Sequence, residues 1–330
     1  MNPRQDKYRG RERPGMHRQR YGFTLIELLT VLGIIGVLSS MVLLALYSVS
    51  ENARKQRTKA QITKIHELIS GRWESYRTRP MPISAQSLRG KSPRYAALLR
   101  LKAMYELMRL EMPDRQADLL GVPEQKNQIF FVQNPDSTYV WSSRGKGNSS
   151  LFLAHKSRLD KRWSGNFQSA ECLYMILASI QDGDTNGLDF FREREKGDVD
   201  NDGMPEILDG WGQPIAFLRW APAYIGPSFS TLQFGDLNQS KDGDAGEGNG
   251  DPFDPLKVNP RWRNNNPKDD PFALFPLIYS IGPDGDGGVD NLVKRSVFWN
   301  PYETAGGTHS NISTPSEAVD NISNHMLEAR

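Results

Sequence analysis

Apolar residues run almost unbroken from Leu25 to Tyr47, LIELLTVLGIIGVLSSMVLLALY, and at Ser50 the pattern changes. A stretch of about 20 apolar residues carries an α-helix across the roughly 30 Å hydrocarbon core of a bilayer, so this run predicts a membrane-spanning helix. Past Ser50, residues Ile62, Ile65, Leu68, Ile69, Trp73 and Tyr76 recur three and four apart while Lys and Arg fill the other face, the mark of an amphipathic helix. Together the two patterns predict one helix from about Phe23 to Tyr76, about 80 Å long at 1.5 Å per residue. Pro80 and Pro82 end it, because neither can continue the hydrogen-bond ladder.

Residues 93–110 predict a second amphipathic helix with Leu98, Leu101, Tyr105 and Met108 on its core side, and residues 163–181 a third, capped by Ser164 or Asn166. Cys172 falls inside the third as a small buried side chain. In the C-terminal half IAFLRW, TLQF, PLIYSIG and VKRSVFW read as strands between turn-rich loops. The expected fold class is α+β: a long N-terminal transmembrane and amphipathic helix packed on a small antiparallel sheet, with an inserted, mainly helical region bearing acidic loops. The segments are a basic leader (1–22), the transmembrane half of the helix (23–49), its amphipathic half (50–79), the insertion (80–208), the sheet (209–301) and a polar, loosely ordered tail (302–330).

At 330 residues, 38% hydrophobic and 24% charged, the chain supports one or two modest domains beyond its anchor. The net charge of +2 hides an asymmetry: the leader holds seven basic and two acidic residues, and the remainder 34 basic and 37 acidic, or −3. Basicity confined to the leader keeps that end cytoplasmic and gives no case for nucleic-acid binding. A single cysteine excludes an intrachain disulfide, leaving bound cations as the natural staple for a head rich in Asp, Asn and Gly.

Two acidic loops match a twelve-residue calcium-loop pattern, in which short oxygen donors alternate around a hard cation and an acid returns from further along. In DGDTNGLDFFRE, Asp182, Asp184 and Asn186 take positions one, three and five, Gly187 the turn and Glu193 position twelve; the alternative is a solvated acidic turn. In DVDNDGMPEILD, Asp198, Asp200 and Asp202 take the same positions before Gly203, with Asp209 at twelve or Glu206 in its place. No recognisable catalytic motif accompanies His17, His66, His155, His309 or His325, and carboxylates alternating with glycine suit cation binding better than acid–base work, so an enzyme is not expected.

Glu27 is the one charge within the apolar run, and an ionised carboxylate there costs at least about 2.5–3.5 kcal/mol without a partner. Preceded by the basic leader, G-F-T-L-I-E-L-L-T-V from Gly22 to Val31 resembles the signal of type IV prepilins and type II secretion pseudopilins. The resemblance implies that a membrane-embedded prepilin peptidase cuts between Gly22 and Phe23 and N-methylates Phe23, and that Glu27 acts in subunit docking. Its partner would be the new amino group of a neighbouring copy's Phe23. The turn D-G-W-G-Q-P (209–214) and the run Y-S-I-G-P-D-G-D-G-G-V-D-N (279–291) resemble the head of the major pseudopilin. They imply a late calcium loop carried by Asp284 and Asp290, with Asp286 and Asn291 as further participants. The function so implied is a pilin-like fibre subunit of a type II secretion pseudopilus with a calcium-ordered head. Its partners would be the peptidase, other copies and sister pseudopilins through the N-terminal helix, the bacterial inner membrane and the secretion assembly platform, with the head in the periplasm or on a surface fibre. A type IV pilus or competence pilin subunit, or a membrane-anchored calcium-binding adhesin or receptor using the same signal, is the alternative.

Overall fold

The computed structural model describes residues 24–81, 83, 88–120, 131–133, 139–141, 149–222, 251–263, 271, 274–285, 289–290, 311–312 and 321–324. Helix α1 spans Leu25–Thr78, as the two apolar patterns predict. Its start is fixed by a reciprocal capping box: Glu27 N donates to Thr24 Oγ1 (3.3 Å), while Thr24 N and Oγ1 both donate to Glu27 Oε2 (2.8 Å each). The chain divides at Asn52 into two units. In the first, every residue from Thr24 to Ser50 is exposed. It is the one helix among the described residues long and apolar enough to cross a membrane.

The second unit begins on the amphipathic part of α1, where Thr58, Gln61, Ile62, Ile65, Ile69, Trp73 and Tyr76 are buried at the predicted three- and four-residue spacing. Helix α2, Pro93–Glu111, starts as its sequence dictates, with Ser92 Oγ accepting from Tyr95 N and Pro93 in the first turn. It departs from the expected one-sided pattern: every residue from Leu101 to Glu111 is buried, including Lys102, Glu106, Arg109 and Glu111. Such burial is tolerable only if the charges are paired, and Arg109 duly bonds Glu106 at 2.6 Å while Arg79 grips Glu111 with both guanidinium nitrogens. Short helices α3 (Gln116–Leu120) and α4 (Ser150–Ser157) follow; the sequence reading had neither. The third predicted helix is real but shorter, α5 at Gln168–Leu177, and neither Ser164 nor Asn166 caps it.

Small antiparallel sheets complete the α+β architecture. Strand β1 (Phe131–Gln133) pairs with β2 (Tyr139–Trp141), β3 (Gln181–Asp182) with β4 (Thr185–Asn186), and β5 (Lys196–Gly197) with β6 (Glu206–Ile207). The main sheet sets β7 (Ala216–Pro222) beside β8 (Leu274–Ser280), with β11 (Ile322–Ser323) on the far edge of β8; β9 (Val289–Asp290) pairs with β10 (Asn311–Ile312). β7 and β8 match IAFLRW and PLIYSIG, whereas TLQF and VKRSVFW lie outside the described residues. The tail expected to be loose contributes β11, and Asn324 ties it in by accepting from Ile278 N and donating to the Pro276 carbonyl. Residues of α1, α2, α4, α5, β6, β7, β8 and β11 share one hydrophobic core, so the insertion is not a separately packed module.

Strand β7 has a register irregularity between Leu218 and Ala221, the stretch that holds Arg219. Arg219 is 1% exposed, its N–H donates to Asp114 Oδ2, and its guanidinium reaches Asp118 Oδ2 at 2.9 Å and the Met112 carbonyl at 2.7 Å. Burial alone would push the Asp118 carboxyl up, but Arg219, Arg109 and Arg115 outweigh it and hold the group far below the ordinary carboxylate range.

Candidate functional site

At the N-terminal end, Gly22 and Phe23 lie outside the described residues, while Glu27 is described and its carboxylate is engaged by Thr24. The acid thus has a local role, satisfying the first-turn amide of Thr24, beside the intermolecular one the resemblance implies. T-x-x-E is legible in the sequence as a capping box, and the interpretation of Glu27 as a charge without a partner passed over it.

The first acidic loop does not converge. Gln181–Asn186 is a hairpin turning through Gly183 (φ 61°), with Asp182 and Asp184 exposed. Asn186 is a cap: its Oδ1 accepts from Leu188 N at 2.9 Å and its Nδ2 donates to the Ala178 carbonyl at 3.1 Å. Glu193 points to solvent and pairs with Lys196 at 2.8 Å. Among described residues these four share no cation-sized cluster, because the loop spends its donors on ending α5 and starting a short 3-10 turn at Gly187–Phe190.

The second loop does converge, as the tip of the β5–β6 hairpin. Asp198 accepts from Asp202 N and Gly203 N, closing the turn. Gly203 sits at φ +93°, and a Cβ there would lie 2.7 Å from the Asp160 carboxylate, so only glycine fits. Asp202 accepts from Ser164 N at 2.5 Å and Met204 N at 2.9 Å; Asp200 Oδ2 accepts from Ser164 Oγ and Asn166 Nδ2. The two residues expected to cap α5 thus hold the acidic loop instead. Glu206 adds Oε2, bonded by Val199 N at 3.1 Å.

A fifth acid, Glu171 of α5, enters from across the fold with its Oε2 bonded by the indole N–H of Trp163. One oxygen each from Glu171, Asp200 and Asp202 lies within 4.8 Å of the others, and the same holds for Asp198, Asp200 and Glu206. Glu171 Oε1, Asp200 Oδ1 and Glu206 Oε1 are buried without a hydrogen-bond partner. Burial first, and the neighbouring carboxylates of the loop with it, push the Glu171 carboxyl up to about 8 and Glu206 to about 7, despite their single hydrogen bonds. A hard, oxygen-preferring cation is what such a donor set can hold. Sequence pattern found Asp198, Asp200 and Asp202 and admitted Glu206, but missed Glu171. The available signal was an acid within QSAECLYMIL, on a helix otherwise apolar enough for the core.

Asp209 is not part of this cluster. Its Oδ1 accepts from Trp211 N (2.8 Å) and Gln213 N (2.9 Å) and its Oδ2 from Ser280 Oγ (2.5 Å), so position twelve of the loop is filled by Glu206 rather than Asp209. The D-G-W-G turn it organises docks on α1: Gly210 N donates to Thr58 Oγ1 at 2.9 Å and Gln61 Nε2 donates to the Leu208 carbonyl at 2.9 Å. Of the late loop, Asp284 is exposed, Asp286 and Asn291 lie outside the described residues, and Asp290 is placed by its backbone only, in β9.

The described residues thus hold one helix of membrane-spanning length and apolarity, opened by a Thr–Glu box. Residues 17–43 match the family model of the prokaryotic N-terminal methylation motif, which supports the type IV pilin and pseudopilin class. No curated protein and no solved structure matches the chain.

Proposed function

We propose that the protein is a structural fibre subunit, cut by a prepilin peptidase between Gly22 and Phe23, N-methylated on Phe23 and assembled through its N-terminal helix into a type II secretion pseudopilus. The observation that carries the reading is the methylation motif over residues 17–43 leading straight into the exposed apolar stretch of α1. The large apolar side chains exposed from Leu25 to Val49 suit lipid before assembly and sister helices after it. The pseudopilus, rather than a type IV or competence pilus, is favoured by the D-G-W-G-Q-P turn, which seats the head on α1. Calcium ordering the head, in place of disulfides, belongs to the same reading, because an ion bound only by the folded form stabilises it. The role is structural and not catalytic. Of the described histidines, His155 is buried with Nε2 on the Glu111 carbonyl, and His66 lies within bonding distance of Ser70 and Asn324.

N-terminal mass spectrometry of the protein from its membrane tests the processing: a chain beginning at N-methyl-Phe23 is expected, and an intact leader refutes it. Glu27→Gln should leave the protein in the membrane but remove it from sheared or cross-linked fibres. Undiminished fibre incorporation refutes the docking role, and absence of the wild-type protein from fibres favours a free-standing receptor.

A further inference from the structure

We propose that Glu171 of α5, together with Asp198, Asp200, Asp202 and Glu206 of the β5–β6 hairpin, forms a calcium site that fastens helix to hairpin. This deepens the calcium reading above, on which it rests, by assigning an ion to residues apart from the Asp284, Asp286 and Asp290 loop.

Three oxygens carry the inference. Glu171 and Glu206 are each 0% exposed, and each leaves Oε1 unbonded inside the cluster, as does Asp200 with Oδ1. A buried acceptor left unmade costs about 1–3 kcal/mol, more when charged, and three together in one place call for a common partner. A proton on Glu171 or Glu206 would remove one charge but leave the other carboxylates of the cluster facing one another. Among the described residues, the cation whose charge reaches the loop does not serve either. Arg162, whose charge acts on Asp198 and Asp202, gives its Nε to Asp160 at 3.2 Å on the exposed surface. Water could fill the bonds but not offset five clustered carboxylates.

A divalent ion supplies both. With calcium–oxygen distances of about 2.3–2.6 Å, ligands on opposite sides of one ion stand about 5 Å apart, the span within which each triad already falls. Asp200 belongs to both triads and would be the shared ligand. The support around the cluster is already in place: Trp163 orients Glu171, Ser164 and Asn166 orient Asp200, Val199 N–H orients Glu206, and Asp198 is locked by two amides. All-oxygen donors with no His or Cys favour calcium over zinc. Glu206 stands two residues before Leu208 and four before Gly210, the residues that dock on α1, so an ion here would firm the seat of the long helix.

The test uses the full chain in detergent micelles, stripped with EDTA, and follows calcium by calorimetry and thermal unfolding. Wild type should bind and gain about 5–10 °C in Tm at a hundredfold excess over Kd. Glu171→Gln and Asp200→Asn should bind the ion at least about tenfold more weakly, since affinity follows ligand charge. Without calcium, Glu171→Gln should unfold no earlier than wild type, because the amide removes a like charge. A lower metal-free Tm with an unchanged calcium increment would make Glu171 a packing residue and overturn the proposal. Wild-type affinity in both variants, with loss of binding in Asp284→Asn, would overturn this site while upholding calcium in the head. No calcium binding by wild type would overturn both calcium readings, leaving the fibre subunit to stand or fall on Glu27.

Discussion

Gly210→Ala tests whether the D-G-W-G turn is the seat of the head on α1. A Cβ built at Gly210 would lie 2.4 Å from the carbonyl oxygen of Arg54 and 2.9 Å from its carbonyl and α carbons. These are backbone atoms within a helix and cannot step aside as a side chain could. An ordinary carbon–oxygen contact is about 3.3–3.6 Å, so the turn must retreat by about 1 Å. That retreat stretches the 2.9 Å bond from Gly210 N to Thr58 Oγ1 beyond hydrogen-bonding range. Overpacking costs about 1–3 kcal/mol and the lost bond about 0.5–1.5 kcal/mol, together about 2–4 kcal/mol. For a head of this size the loss corresponds to about 5–15 °C in Tm. The assay is thermal unfolding of the full chain in micelles, followed by tryptophan emission. Gly212→Ala is the control: Gly212 has φ +88° but nothing within 4 Å, so the substitution carries only conformational strain of about 1–2 kcal/mol. A Gly210→Ala protein melting within about 1 °C of wild type, or more stable than Gly212→Ala, would refute the docking argument.

Two further outcomes follow from buried charge. Asp118→Ala leaves Arg109, Arg115 and Arg219 without their shared carboxylate and should cost about 3–5 kcal/mol by denaturant unfolding; a loss under about 1 kcal/mol would contradict the pairing. Burial first, then the charges of Arg158 and Arg72, outweigh the Glu111 carbonyl and push His155 down to about 4. Between that value and the unfolded pKa of about 6.5 the unfolded chain holds the extra proton, so the contribution is complete above about pH 6.5 and is lost as pH falls toward 4. It amounts to at most about 3 kcal/mol, and His155→Gln should lack this part of the acid sensitivity. An unchanged pH dependence in the variant would show that His155 is not its source.

What the sequence determined is local. The 25–47 apolar run, the three- and four-residue spacing through Tyr76, the Ser92–Pro93 start of α2, the two long strands and the Asp198–Asp200–Asp202 turn all express contacts within a few residues, where periodicity and turn chemistry speak directly. The tertiary structure decided which donors meet. Asp209 and Glu206 lie three residues apart, yet one anchors a turn against Ser280, 71 residues on, and the other closes the acidic cluster. Ser164 and Asn166, legible as helix caps, are claimed by an aspartate 34 to 36 residues away. Arg219 lies in the predicted strand IAFLRW with no local signal of a partner, yet it meets Asp118, 101 residues earlier. Glu171 gives no motif at all, because its partners are set by how α5 packs on the β5–β6 hairpin. Side-chain period fixes the face a residue presents, but only packing in three dimensions fixes what that face meets.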